Sequence, residues 1–126
     1  MTGLGAALLV VAGATVGAPL RYVTDLAVQS VHDTVFPWGT LIVNVVGSLI
    51  LGVVAGAVAG GAPSWLLTLI GTGLCGALTT FSTFGFETVR LIEDGALFEA
   101  AMNSLVSLLA GLVACMGGFA LAAAIA

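Results

Sequence analysis

The sequence predicts an all-α membrane protein of four transmembrane helices, a single domain over residues 1–126, with its third helix broken at mid-membrane. Three observations carry that prediction. Four stretches are long and apolar enough to cross a bilayer, whose core needs about 20 mostly apolar residues per helix. Hydrophobic residues make up 60% of the 126 and charged ones only 6%, so no separate soluble domain fits in what remains. The third stretch carries GTGLCGALTTFSTFGF at 71–86, which is a poor membrane helix. Gly71, Gly73 and Gly76 remove side chains there, at about 1 kcal/mol each relative to alanine in a helix interior. Thr79, Thr80, Ser82 and Thr83 then add hydroxyls. Non-helical backbone at membrane depth is tolerated only where protein buries it or a wet cavity accepts it, so the break points to an ion or substrate site.

The first span covers about residues 4–26, interrupted by Pro19, with Arg21 and Tyr22 near its far end. Its apolar run is too long for a signal peptide's core and no basic segment precedes it, so it reads as a retained helix. A connection at 29–37 holds His32 and Asp33, and His32 reads as a polar loop residue without ligand partners. The second span runs from Trp38 to about Ala59, and Gly60-Gly61-Ala62-Pro63-Ser64 closes it with breaker chemistry. The third covers about 65–90, and Glu93-Asp94-Gly95 leads into the fourth, about 98–124. Trp38 and Trp65 open successive spans, which places them at opposite interfaces, as an aromatic belt requires. Gly13/Gly17, Gly52/Gly56 and Gly56/Gly60 are GxxxG pairs, and Ala114/Gly118 is a looser version. Small residues let helix backbones approach closely where lipid offers no hydrophobic drive, and the repetition fits contacts within and between subunits. A unit this small hardly encloses a pathway alone, so a dimer is expected.

Charge is sparse: two basic and six acidic residues, a net of −4. No basic patch exists, which argues against nucleic acid as a partner. Cys75 and Cys115 lie in apolar spans and form no CxxC pair, which argues against metal binding through thiolates and against a disulfide framework. Four spans put both termini on one side. Arg21, Asp25, Asp33, Arg90, Glu93, Asp94 and Glu99 all fall on the other, which the positive-inside rule places in the cytoplasm. A vote of two arginines is weak enough to leave insertion in both orientations open. Opposed copies then form an inverted pair around a midplane site.

Polar residues inside the spans form stripes. Thr40, Asn44, Gly47 and Ser48 share a face of the second span; Asn103, Ser107 and Gly111 follow every fourth position in the last, with Ser104 adjacent. Such groups must turn inward, either as interhelical glue at about 0.6 kcal/mol per bond or as the lining of a pathway. Together with a broken helix they favour a pathway. Asn44 is the strongest single candidate, with a second role open to it: satisfying carbonyls freed by the break. Arg21 reads either as a snorkelling residue or as a funnel for an anion. Glu87 either lines a vestibule or marks a helix end. Phe81 and Phe84 share one face of the half-helix after the break, and ring edges carry the positive part of the aromatic quadrupole. Nothing pairs a nucleophile with a base, which argues against an enzyme. Hydroxyls, amides and ring edges stabilise a small anion weakly, as conduction requires.

GAPLRY at 17–22, GTLIVNVVGS at 39–48 and GLCGALTTFSTF at 73–84 resemble the three signature motifs of the CrcB/Fluc fluoride channel family, in order and over the whole chain. The resemblance implies an antiparallel, dual-topology homodimer in the inner (plasma) membrane, four helices per subunit. Its two pathways export fluoride that entered as the neutral weak acid. It implies that Phe81 and Phe84 line the pores, that Asn44 contacts fluoride, and that Arg21 is a vestibule residue. The break covers residues 79–83, placing Ser82 and Thr83 on the pathway with Thr40 and Glu87. Ser107 lies on a polar track of the last helix, where Asn103 stands at a place many members fill with tyrosine. The backbone carbonyls of Gly76 and Thr79 are implied ligands of a structural sodium ion on the two-fold axis. Some members pair subunits from two genes, so a heterodimer stays open. A small multidrug-resistance type exporter also has four spans and dual topology, but it needs a carboxylate in its first span, and residues 4–20 contain none. A structural or assembly protein would explain GxxxG and leave TTFSTF idle.

Overall fold

A computed structural model of the chain describes residues 2–31, 36–80 and 82–125. The expectations for His32, Asp33, Phe81 and the Ser82 side chain lie outside the described residues. In order, the elements are α1 (Gly3–Val31), α2 (Trp38–Ala59), a π-helix (Leu67–Cys75), α3 (Gly76–Leu78), α4 (Ser82–Glu93) and α5 (Leu97–Ile125). By length and composition, four segments can span a membrane: Gly3–Val28, Trp38–Ala59, Leu67–Glu93 and Leu97–Ile125. This is the architecture of an all-α membrane protein.

The expected interruption of the first span at Pro19 does not occur: α1 runs through Pro19 and on to Val31. Proline deletes one backbone donor, but an apolar helix packed on neighbours tolerates that loss. The second span keeps its expected limits, and the others shift by a few residues at their ends.

α2 lies between two neighbours, packing mainly on α5 and also on the π-helix, while α1 lies chiefly along the π-helix. Small residues make these approaches possible. A Cβ on Gly13 or Gly17 would overlap the carbonyl oxygens of Leu69 and Leu74, and one on Gly73 would stand 2.8 Å from Val10 O. On the other side, a Cβ on Gly52 would overlap Cys115 O, and one on Gly118 would come within 2.6 Å of Leu49 O. The GxxxG pairs at 13/17 and 52/56 therefore seat α1 on the π-helix and α2 on α5. Gly60 has a different role from the one its spacing predicts: it ends α2 as the cap residue.

Both helix-terminating turns share one mechanism. After α2, Ala62 N donates to Ala57 O at 3.0 Å and Gly61 N to Val58 O at 3.1 Å, with Gly61 at φ +113°. After α4, Ala96 N donates to Leu91 O at 2.8 Å and Gly95 N to Ile92 O at 3.1 Å, with Gly95 at φ +78°. These are Schellman motifs, in which glycine supplies the left-handed residue and the orphan carbonyls are satisfied. The second folds α4 back against α5.

Large apolar side chains face outward: Leu4, Val113 and Ile125 are 73, 69 and 77% exposed. The small buried set includes Leu41, Val43, Cys75, Leu78 and Leu91 together with the polar Thr40 and Asn103. Apolar outside and polar inside is the arrangement that hydrocarbon solvent selects.

Candidate functional site

Between α3 and α4 the backbone leaves helical geometry. Thr79 is extended, with φ −82° and ψ 163°. Its amide and its hydroxyl both turn back to Cys75 O, at 2.9 and 2.7 Å. The Thr80 amide, which would close a helical bond to Gly76, instead donates to Asn44 Oδ1 at 2.9 Å. Asn44 Nδ2 in turn donates to Thr80 O at 3.1 Å. One side-chain amide on α2 thus replaces a backbone partner for both polar groups of Thr80. Either group left bare in an apolar interior would cost about 1–3 kcal/mol. Of the two roles the sequence left open for Asn44, this geometry displays the backbone one. The amide's second Nδ2 hydrogen remains as a donor beside the turn.

Thr80 also starts the next helix. Its Oγ1 accepts from Thr83 N at 3.1 Å and donates to Thr83 Oγ1 at 3.1 Å. A hydroxyl accepting from an amide three residues on is N-cap geometry, which restarts the chain as α4. Close approach of the turn to α2 depends on Gly47, where a Cβ would overlap Thr79 Cγ2.

Two clefts flank the turn and share Thr80. One, of about 360 Å³, is lined by Asn44, Ser48, Gly76, Thr79 and Thr80 among others. The second, of about 260 Å³, holds Arg21, Tyr22, Asp25, Thr40, Thr80 and Thr83. Arg21 Nη1 reaches Thr79 O at 3.5 Å, which turns the guanidinium inward along the cleft. The Thr40 hydroxyl donates to Glu87 Oε1, tying α2 to α4. Asp25 packs its carboxylate so tightly on Gly39 that any Cβ there would collide with it.

The structure therefore gathers Arg21, Thr40, Asn44, Thr79, Thr83 and Glu87 around one turn. Phe84 sits half-buried on the opening turns of α4. Asn103 and Ser107 are not part of this group: they line neither cleft and lie between α4 and α5, where Asn103 Nδ2 donates to Thr88 Oγ1 at 2.8 Å. Thr80 and Thr88 were not singled out as site residues from sequence. For Thr80 a signal existed, because Thr80 and Thr83 have N-cap spacing within the expected break. Thr88 carried none, since its partner lies 15 positions away on another helix.

The same turn bears on cation binding. Diverting the Thr80 amide to Asn44 withdraws the usual helical donor from Gly76 O, and the extended Thr79 turns its carbonyl out of the helix axis. A Cβ on Gly76 would meet nothing within 4 Å, so the backbone there is open to approach. Carbonyls released from unwound helix are the donor type that hard monovalent cations take in membrane sites. The Gly76 carbonyl fits such an ion, whereas Thr79 O already faces the Arg21 guanidinium at 3.5 Å.

Residues 8–119 match the family model described as CrcB-like protein, Camphor Resistance (CrcB). The chain is 60% identical to the fluoride-specific ion channel FluC 1 of Frankia casuarinae, over 94% of this chain and 96% of that one. It is 61% identical to the fluoride-specific ion channel FluC 1 of Streptomyces avermitilis, over 88 and 90%. A fluoride-specific ion channel FluC of Shewanella amazonensis shares 44%, over 81 and 83%. These names describe channels rather than enzymes, in keeping with a sequence that pairs no nucleophile with a base. The four spanning segments, the Thr79–Thr80 turn gripped by Asn44, and these relatives agree: the chain belongs to the CrcB/FluC family of multi-pass membrane ion channels and is not an enzyme.

Proposed function

We propose that this protein is a fluoride-selective channel that lets fluoride leave the cell passively across the inner (plasma) membrane and so lowers its cytoplasmic toxicity. The working unit is an antiparallel homodimer of oppositely inserted copies. The observation that carries the reading is the turn at Thr79 and Thr80, held by Asn44 and flanked by two clefts into which polar side chains are set. The names of close relatives supply the ion.

The chemistry suits a small, strongly hydrated anion. Arg21 raises the local anion concentration at the mouth of one cleft. Thr83 and the spare Nδ2 hydrogen of Asn44 then offer neutral donors in place of water, while Thr40, its proton given to Glu87, shapes the same cleft. In this reading the Ser82 hydroxyl adds a further neutral donor. The rings of Phe81 and Phe84 would in this reading offer the anion their positive edges. Neutral donors bind an anion firmly enough to admit it and weakly enough to release it. Glu87 accepts the Thr40 hydroxyl and lines neither of the two clefts. A second copy related by a two-fold axis brings Gly76 and Thr79 carbonyls together in pairs, and a sodium ion held there would pin the two turns to each other.

The test is an efflux measurement. Proteoliposomes loaded with potassium fluoride should discharge it once a potassium ionophore is added, as read by a fluoride electrode, and should retain chloride under the same conditions. Retained fluoride would sink the channel reading.

A further inference from the structure

The most enclosed polar side chain described is not at the turn. Asn103, on the second turn of α5, has 0% of its surface exposed. Its Nδ2 donates to Thr88 Oγ1 at 2.8 Å, and Thr88 Oγ1 donates to Phe84 O at 2.8 Å. From the other side Ser107 Oγ donates to Asn103 Oδ1 at 3.3 Å. Four residues on two antiparallel helices thus form one chain of bonds running from Ser107 to the carbonyl of Phe84.

The chain has a fixed polarity. The Thr88 hydroxyl proton is committed to Phe84 O, so toward α5 its oxygen offers only lone pairs. The group meeting it must be a donor, and the group meeting Ser107 must be an acceptor. A side-chain amide is both. An ionised aspartate would set lone pair against lone pair, and a leucine would take the Asn103 partner from two half-buried hydroxyls. α4 packs chiefly on α5, so this link is the main polar restraint on its rotation from that side.

We propose that Asn103 is a positioning residue for Phe84: through Thr88 it fixes the rotation of α4, and it does not itself contact the conducted ion. The proposal rests on the channel reading and narrows it, because a side chain without exposed surface in one subunit gains none when a second subunit is added. Asn103 acts on conduction only by aiming α4.

A double-mutant comparison separates aiming from contact. Fluoride efflux is measured for Asn103→Leu, Thr88→Val, the two combined, and Thr88→Ser. Each of the first two should slow efflux about five- to tenfold, the scale of one lost hydrogen bond expressed in a rate. The combination should be no slower than the slower single variant, and Thr88→Ser, which keeps the hydroxyl, should conduct like the parent. Reductions that multiply would overturn the proposal, as would unchanged efflux in Asn103→Leu. A second readout follows the ring itself. With 4-fluorophenylalanine incorporated at position 84, the fluorine resonance should move alike in Asn103→Leu and Thr88→Val and return in Thr88→Ser. A resonance indifferent to Asn103 would also overturn it. Should Asn103→Leu not fold, Thr88→Val against Thr88→Ser asks the same question from α4. If the parent protein retains fluoride, the channel reading fails alone and the resonance still decides the clamp.

Discussion

Asn44 and Thr80 meet through two hydrogen bonds that run in opposite directions, and this reciprocity ties chain geometry to function. A hydroxyl at position 44 could serve one of the two backbone groups well, but a flat amide serves both. Asn44→Leu has similar bulk and neither bond. It should destabilise the protein by about 1–2 kcal/mol, since two half-buried backbone groups lose their Asn44 partner at once. Fluoride efflux should fall with it. Thermal unfolding in detergent measures the first effect and the electrode assay the second; a variant with parental melting would show that water replaces the amide. Asn44 was legible in the sequence as an inward-facing polar residue on a helical stripe. Which of its two roles it plays was not, because that depends on where Thr80 lies in space.

At the scale of elements, α4 decides how the site is presented. Thr80 caps its start, the Schellman turn at Gly95 closes its end, and its polar ties are Thr40–Glu87 to α2 and Thr88–Asn103 to α5. Gly95→Ala tests the turn separately from the ties. A Cβ there would meet nothing within 4 Å, so the cost is conformational: about 1–2 kcal/mol for holding an L-residue at positive φ. Melting temperature should drop while efflux per folded protein stays at the parental rate. A drop in both would mean that the turn also sets α4's position. The connection was visible in Glu93-Asp94-Gly95. The continuous α1 was not, because Pro19 is a helix breaker in water and a tolerated interruption in a packed apolar bundle. The π-helix over Leu67–Cys75 was foreshadowed only as a weak α-helix rich in glycine.

For the whole molecule, lipid is the solvent and the few charges govern orientation. With two arginines as the only basic residues, both on one side of the four spans, the bias toward a single orientation is small. Adding two lysines to the Gly60–Ser64 turn places positive charge on the opposite side. If oppositely inserted copies make up the channel, a population forced into one orientation should lose most of its efflux. Restoring activity by co-expressing a copy with lysines in the Asp94–Ala96 turn would show that the two orientations complement each other. Full activity in a population shown by one-sided labelling to be singly oriented would contradict the antiparallel dimer.

Membrane character, four spans and the glycine seams were all legible from the residues alone. Each follows from local composition and periodicity, which hydrocarbon reads residue by residue. Tertiary structure alone decided the partners: Asn44 with Thr80 across 36 positions, Thr40 with Glu87 across 47, Asn103 with Thr88 across 15. A hydroxyl or amide in an apolar span declares only that it must find a counterpart. Helix packing chooses which one, because a bond of about 3 Å is set by backbone approach and rotation, and those depend on every contact along the seam at once.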